Sequence, residues 1–408
     1  MPRIKFVNLK LASPAKNVVA NAEGDQDVTN LGTGPERLAP WWPLLEQVLA
    51  AANAQEPVQP GTGAADPDRQ PIQLVAANLE NIQEDLQADA NESWISPPLS
   101  ECNSTVIVHR APEFCSRIIQ NGVLPPLRSK QPKNWKTLER IIRYEPSGLQ
   151  YPSEEEYKCW LRRTSANPNP DTLVWELYSL IDRFPAEKHY LTAIRKMIDN
   201  VPLTAAYNAG LLAPQPDFVQ GIDMAGFGDV RVEHIPGAVL FEPSDDSITL
   251  AHVSGEFFGP SSSEERFAEM CGSHAGAALV FGRNSALKHL RRPDKLGHAH
   301  VLTFITNGSK IAFYAHHASK KKKGKDGEEE LEYHQYPLLT TSLRDSYASF
   351  KKGWAQLRNC QLYAFEKSYE LRDLLEKQHS AQGAGERVRK KGAPAKERRK
   401  TKVTRGPR

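Results

Sequence analysis

The spacing of apolar residues along the chain changes its period near residue 200. Before that point, apolar side chains recur every three or four positions, which is the period of a helix with one buried face. Ser153 followed by Glu156 has the spacing of a capping box, a common start of a helix. The first half is therefore predicted to be helical, in segments 40–55, 71–90, 111–124, 153–166, 170–185 and 187–200.

After residue 200, short runs rich in β-branched and aromatic residues predict strands. Asn307 and Gly308 stand between two such runs and predict a hairpin, since Asn-Gly adopts the positive φ angles of a tight turn. Helices 261–290 and 342–378 are interspersed, and the first has a patch of small residues that would let it lie close to a sheet. The strands are expected at 214–223, 237–243, 248–258, 299–308 and 310–319, and the small residues are Gly272, Ala275, Gly276 and Ala278.

This alternation predicts a mixed α/β (α+β) domain with a central sheet flanked by helices. The chain has 408 residues with 30 Pro and 26 Gly, so much of it is expected to lie outside a packed core. We expect a largely disordered segment with short helices at 1–95, a helical extension at 96–169, the core at 170–378 and a disordered basic tail at 379–408.

Positive charge is concentrated at the C-terminus. Residues 385–408 contain eleven Lys or Arg and two Glu, whereas the whole chain has a net charge of only +3. Such a segment is typical of a nucleic-acid-binding or nuclear-targeting arm, and a merely solubilising tail is the alternative. The residues expected to contact phosphates are Arg389, Lys390, Lys391, Arg398, Arg399 and Lys400.

The cysteines and the hydropathy indicate where the chain resides. The five cysteines are widely spaced, without a C-x-x-C pair, which fits a reducing compartment. The first residues lack the apolar core of a signal peptide, and no run of 18 apolar residues predicts a membrane span. We therefore expect an intracellular and nuclear protein that does not enter a membrane.

Two carboxylates are candidates for metal chemistry. Asp217 opens one predicted strand and Glu256 ends another, so both could bind one Mg²⁺, which needs few protein ligands. Such an ion activates water for phosphodiester cleavage. Asp217 after Pro216 is more usually a turn residue whose side chain bonds its own backbone. A zinc site formed by His298, His300, His316 and His317 is the weaker alternative to half-exposed strand histidines.

The same residues resemble the PD-(D/E)xK nuclease-like superfamily, and residues 170–378 are similar to a fungal group of proteins with that restriction-endonuclease-like core. The resemblance implies that Asp217 and Glu256 ligate Mg²⁺, that Glu176 on a helix is a helper acid, and that the substrate is DNA rather than RNA. The matching residues are Pro214, Pro216, Asp217 and Gly221, then Val253, Gly255, Glu256 and Phe257, then helix 264–290, and finally Phe350, Gly353 and Trp354.

The chain departs from that superfamily where its motif has a Lys, because Phe258 stands there. A Phe cannot stabilise developing negative charge, so either Lys288 or Lys295 replaces the lost cation or the site is degenerate. The expected function is a divalent-metal-dependent nuclease-like protein that acts on DNA or binds it. The alternatives are a non-catalytic nucleic-acid-binding protein and a scaffold that binds other proteins through its N-terminal helices.

Overall fold

A computed structural model describes the chain at 113–145, 149–165, 176, 187–202, 205–293, 295–321 and 331–392, with backbone alone at 165 and 383–392. The helices expected at 40–55 and 71–90 lie outside these residues, as does most of 170–185. The protein partner expected through the N-terminal helices therefore stays a prediction. Arg398, Arg399 and Lys400 also lie outside the described part.

A seven-stranded mixed sheet forms the centre of the described chain, in the order β1-β7-β6-β5-β4-β3-β2. The pairs β1–β7 and β4–β5 are parallel, and the other neighbours are antiparallel. The predicted mixed α/β class is thereby confirmed. The strands are β1 (Val123–Leu124), β2 (Tyr190–Ile194), β3 (Phe218–Asp223), β4 (Ile248–Phe257), β5 (Val301–Thr306), β6 (Lys310–Lys320) and β7 (Leu331–Ser342).

Helices cover both faces of this sheet. Two long helices pack against it, α4 on one face and α5 on the other, and α2 and α3 pack on the α5 side. The capping box predicted at the start of α3 is confirmed, since Ser153 and Glu156 exchange hydrogen bonds. The helices are α1 (Phe114–Gln120), α2 (Trp135–Arg143), α3 (Glu154–Ser165), α4 (Ser262–His289) and α5 (Tyr347–Gly392).

The small residues of α4 allow it to lie against the sheet at close range. A Cβ atom at Gly276 would overlap the ring of His316 on β6, and one at Gly272 would come within 3.3 Å of Gln335 Nε2 on β7. These glycines therefore act through close approach rather than through unusual backbone angles. The predicted close packing of this helix is confirmed.

Aromatic residues hold α5 on the opposite face. The ring of Phe350 lies 5.0 Å from that of Trp160 and 5.0 Å from that of Tyr157, centroid to centroid, and both partners belong to α3. Such tilted aromatic pairs stabilise packing beyond the area that they bury. The aromatic stretch that begins at Phe350 is thus part of the core on this side of the sheet.

The predicted hairpin is confirmed between β5 and β6. Gly308 has a φ angle of +76°, and the Asn307 side chain accepts hydrogen bonds from the amides of Ser309 and Lys310. Gly308 therefore supplies the positive φ angle of the turn, and the Asn307 side chain accepts hydrogen bonds from the backbone that follows it.

Four sequence predictions need correction. Residues 187–200 contain strand β2 rather than a helix. A run of only five residues fits both the helical and the strand period, and its hydrogen-bonded pairing with β3 makes it a strand. Residues 237–243 form only one isolated bridge, Val239 to Thr249, and β7 was not predicted. Pro337 within β7 lies at a register shift against β6, where a missing N–H is tolerated.

The fourth correction concerns the C-terminal boundary. The tail was expected to be disordered from residue 379, but α5 continues to Gly392. Its last fully packed residue is Leu375, and a helix can propagate past its packed part because each further turn adds its own hydrogen bonds. Arg389, Lys390 and Lys391 therefore belong to a helix.

Candidate functional site

Strand pairing brings Asp217 and Glu256 together. Phe218 of β3 pairs with Gly255 of β4, so Asp217, one residue earlier, lies opposite Glu256. Side chains alternate between faces along a strand, and both acids project to the α4 face. The backbone N–H of Asp217 donates a hydrogen bond to the Glu256 carboxylate. The two residues that the sequence nominated as a pair are thus neighbours.

Both oxygens of the Asp217 carboxylate have protein donors. Arg195 Nε donates to Oδ1 at 2.9 Å, and the backbone N–H of Phe257 donates to Oδ2 at 2.8 Å. Arg195 directly follows β2 with a φ angle of +48°, and its own amide donates to the Asp217 carbonyl. Asp217 therefore joins the ends of three strands.

Sequence reasoning missed Arg195 because its segment was assigned to a helix. The available signal was a short run that contains aromatic and β-branched residues, Tyr190 to Ile194, followed directly by two basic residues. Once β2 is recognised as the neighbour of β3, its last residues must lie beside Asp217. A cation near the acidic pair was expected from Lys288 or Lys295. The cation that lies there is Arg195, and its guanidinium is bonded to the Asp217 carboxylate.

Glu256 is enclosed by protein. Its side chain is 6% exposed, and burial raises its pKa well above the ordinary value of 4.5. The negative charge of Asp217 raises this pKa further, and the Asp217 amide only partly offsets both effects. Burial, followed by the charge of Glu256, also raises the pKa of the Cys271 thiol on α4. Burial and the neighbouring charge of Asp217 therefore both disfavour ionisation of Glu256.

The opposite wall is formed by α4 and β7. A Cβ atom at Gly272 would lie 3.8 Å from Glu256 Cγ and 3.3 Å from Gln335 Nε2. Ser273 donates a hydrogen bond to Gln335 Oε1, whereas Gln335 Nε2 has no hydrogen-bond partner among the described residues. Helix backbone thus approaches the acidic pair closely.

Phe258 stands on the same face as Glu256, as the superfamily's Lys would, but it is part of the core. It is 4% exposed and packs with Ala268 of α4, with Ile305 and with Tyr314. Its amide donates to the carbonyl of Thr306. The position of the motif Lys is therefore filled by an apolar contact between the sheet and α4.

The two candidate surrogate cations lie elsewhere. Lys288 is sixteen residues beyond Gly272 on the same helix, about 24 Å along its axis, which is far more than a Lys side chain spans. Lys295 lines a cavity with Val280 and Arg283, which are two to three turns from Gly272. Neither Lys replaces the lost cation beside Glu256.

Glu176 was expected to face the acidic pair. The structure gives its carboxylate an ion pair with Arg163 at 3.1 Å. Arg163 belongs to α3, which packs on the α5 side of the sheet, whereas Asp217 and Glu256 project to the α4 side. Glu176 therefore has a partner on α3 rather than a place beside the pair.

These residues do not fit Mg²⁺. A bound ion would require Glu256 to ionise in its buried position and Asp217 to release donors from Arg195 and Phe257. Within the described residues, no group of three or more His, Cys, Asp or Glu side chains is arranged to hold a metal. Hard cations need several oxygen ligands, and this pair does not present them.

The histidines expected to be half exposed on strands include two that are buried. His316 and His317 are each 2% exposed. His316 Nε2 lies 2.8 Å from Thr303 Oγ1, and the His317 ring stacks on that of His334 with centroids 4.7 Å apart. Burial lowers the pKa of His316 and of His317 to about 3. They are therefore neutral side chains of the interior.

Comparisons with known proteins add no family. No protein-family model matches this sequence, and no curated protein is significantly similar to it. Among the residues that the structure describes, no helix combines the length and apolar character needed to cross a membrane.

Proposed function

We propose that this chain is a nuclease-like protein that binds DNA and cleaves it poorly or not at all. The order of its elements supports the nuclease-like part. An acid precedes β3, a second acid lies near the end of β4, and the long helix α4 follows, which is the order on which the superfamily resemblance rests.

The observation that carries the proposal is the state of the acidic pair. Asp217 and Glu256 are adjacent, as a shared divalent ion would require, yet Asp217 is held by Arg195 and by an amide, and Glu256 is buried with a raised pKa. Phe258 occupies the place of the cation that would stabilise charge on the phosphate. Loss of one such electrostatic group typically costs about 10²–10³ in rate.

The DNA-binding part rests on the C-terminal charge. Residues 385–408 contain eleven Lys or Arg, and the first four of these belong to the last turns of α5. A cationic helix that continues past its packed part can follow a phosphate backbone, and each phosphate contact releases counterions. DNA is preferred to RNA because the resemblance is to a superfamily of DNA nucleases.

Cleavage is tested first. Purified protein is incubated with supercoiled and linear DNA in Mg²⁺ or Mn²⁺, and we expect no nicking above that of an Asp217→Ala variant. Efficient cleavage that Asp217→Ala abolishes would show an active metal site and would overturn the degenerate assignment.

Binding is tested separately by fluorescence anisotropy of a labelled duplex over a range of salt concentrations. We expect removal of 385–408 to weaken binding and to flatten its salt dependence, because fewer counterions are released. Removal of 393–408 alone is the matched variant, since it keeps the helical part of the basic segment. Equal affinity and equal salt slopes in all three proteins would refute DNA binding through this segment.

A further inference from the structure

The acidic pair lies at one end of the sheet and leaves the other end to be explained. Asp217 and Glu256 lie where β4 and β5 finish. Glu256 is level with Ala312 of β6, because both pair with Ile305. Ser319 lies seven residues further along β6, which is roughly 23 Å of strand at the usual rise per residue. The end of the sheet where β6 finishes and β7 begins is therefore remote from the acidic pair.

A basic stretch of the chain lies at this remote end. Residues 114–138 contain five Lys or Arg and no Asp or Glu. A run of charges of one sign raises the local potential and attracts a ligand of the opposite sign. We call residues 128–136 the basic segment, and its four exposed cations are Arg128, Lys130, Lys133 and Lys136.

Hydrogen bonds hold the basic segment against the end of the sheet. The amide of Lys133 donates to the Gly297 carbonyl at 2.8 Å, and the amide of Gly297 donates to the Ala318 carbonyl of β6 at 2.9 Å. The side chain of Asn134 donates to the Ala299 carbonyl at 2.8 Å and accepts from the Ala299 amide at 2.9 Å. The backbone of the segment is therefore already ordered, so little of its entropy is lost when a partner binds.

Lys130 fixes the first half of the basic segment. Its amide donates to Nδ1 of the buried His334 on β7 at 3.2 Å, and its ammonium pairs with Glu332 at 2.9 Å. Glu332 is the ladder partner of Ser319, so this ion pair lies at the remote end of the sheet. Lys130 therefore serves mainly to anchor the segment, and the other three cations are the candidates for contact with an anion.

The last turns of α5 leave the fold at the same end. Ser368 of α5 donates to the Leu250 carbonyl near the start of β4. Further along, Gln378 Nε2 donates to the carbonyl of His289, the last residue of α4, at 3.4 Å. The helix then continues to Gly392 and includes the first four basic residues of the C-terminal tail. Two basic stretches that are far apart in the sequence thus start from one end of the sheet.

We propose that a nucleic-acid duplex binds across this end of the sheet, in contact with the basic segment and the last turns of α5 and away from the Asp217–Glu256 pair. The inference rests on the DNA binding proposed above and adds the surface that the DNA would occupy. A duplex carries one negative charge per about 1.7 Å of its axis, which cations spread along a surface complement. A duplex bound there presents no phosphodiester to the acidic pair, because that pair is on the order of 20 Å away along the strands.

The test compares two double variants of the full chain in their binding of a fluorescent DNA duplex. Lys133→Gln with Lys136→Gln removes two charges from the basic segment. Lys158→Gln with Lys352→Gln is the matched control, because it removes two exposed charges from α3 and from the start of α5 and gives the same net charge. We expect the first pair to weaken binding about tenfold and to lower the salt slope by about 1–2, and the control pair to change neither.

Protection of lysines from acetylation locates the bound duplex. DNA should slow the acetylation of Lys133 and Lys136 and leave that of Lys158 and Lys352 unchanged. If the unaltered protein binds DNA but both double variants lose affinity equally, the surface is wrong and the DNA binding stands. If the unaltered protein does not bind DNA, both are wrong. Tighter binding of poly-glutamate than of the duplex, lost on changing Lys133 and Lys136, would assign the surface to an acidic protein and overturn the inference.

Discussion

Substitution of Glu256 by Gln tests the electrostatics of the acidic pair directly. The variant keeps the size of the side chain and an oxygen that can accept from the Asp217 amide, but it cannot ionise. The Glu256 pKa is raised above 4.5 by burial and by Asp217. Folded protein therefore retains a proton that the unfolded chain releases, and this difference destabilises the folded state as pH rises above about 4.5.

The magnitude follows from linkage. While Glu256 is protonated in the folded state and ionised in the unfolded state, the wild type loses up to about 1.4 kcal/mol of unfolding free energy per pH unit relative to Glu256→Gln. Below pH 4 both proteins carry a neutral side chain at this position, so their stabilities should differ little. The advantage of the variant should grow from there towards neutral pH and level off at the folded-state pKa.

The assay is urea unfolding of both proteins at intervals from pH 4 to pH 8. Glu155→Gln on α3 is the control, since Glu155 is exposed and its substitution should leave the pH dependence unchanged. Asp217→Asn should reduce the effect, because Asp217 is the second cause of the shift. A constant difference between wild type and Glu256→Gln at every pH would show that Glu256 is ionised in the folded protein and would refute the reasoning.

Three further expectations concern packing and metal binding. Phe258→Lys should lower the unfolding free energy by about 2–4 kcal/mol, against about 1–2 kcal/mol for Phe258→Leu, because it places an ammonium in an apolar cluster; chemical denaturation measures both, and a Lys variant as stable as wild type would contradict the packing. Gly276→Ala should destabilise by about 1–3 kcal/mol through overlap with His316, and an unchanged melting temperature would contradict the close approach. Millimolar Mg²⁺ should not raise the melting temperature of the wild type more than that of Asp217→Ala, whereas a larger rise in the wild type would show a metal site at the acidic pair.

Local chemistry explains the elements that the sequence predicted well. The Asn307–Gly308 turn and the Ser153–Glu156 capping box depend on residues within a few positions of each other. The spacing of the small residues in α4 predicted from the sequence that this helix would lie close to a sheet. The pairing of Asp217 with Glu256 was also predictable, since each acid lies at the end of its own predicted strand.

The tertiary structure alone decided what surrounds that pair. Arg195 reaches Asp217 only because a run of five residues pairs as an edge strand, and its local pattern fits a helix equally well. The sequence could not exclude Lys288 as the replacement for the missing cation, because it does not show which part of α4 lies beside Glu256. By comparison with the motif, Phe258 indicates that a cation is missing. In the fold, its side chain packs between the sheet and α4.

The same division holds for the histidines. Their clustering before β5 and along β6 is visible in the sequence, but the burial of His316 and His317 and the approach of Arg283 from α4 are not. Hydrophobic periodicity reports which face of an element is buried, because it depends on each segment's own side chains. Which charges meet inside depends on contacts between residues far apart in the chain. Here those contacts determine whether the two carboxylates form a metal site or a closed pair, in which Asp217 is bonded to Arg195 and Glu256 is buried.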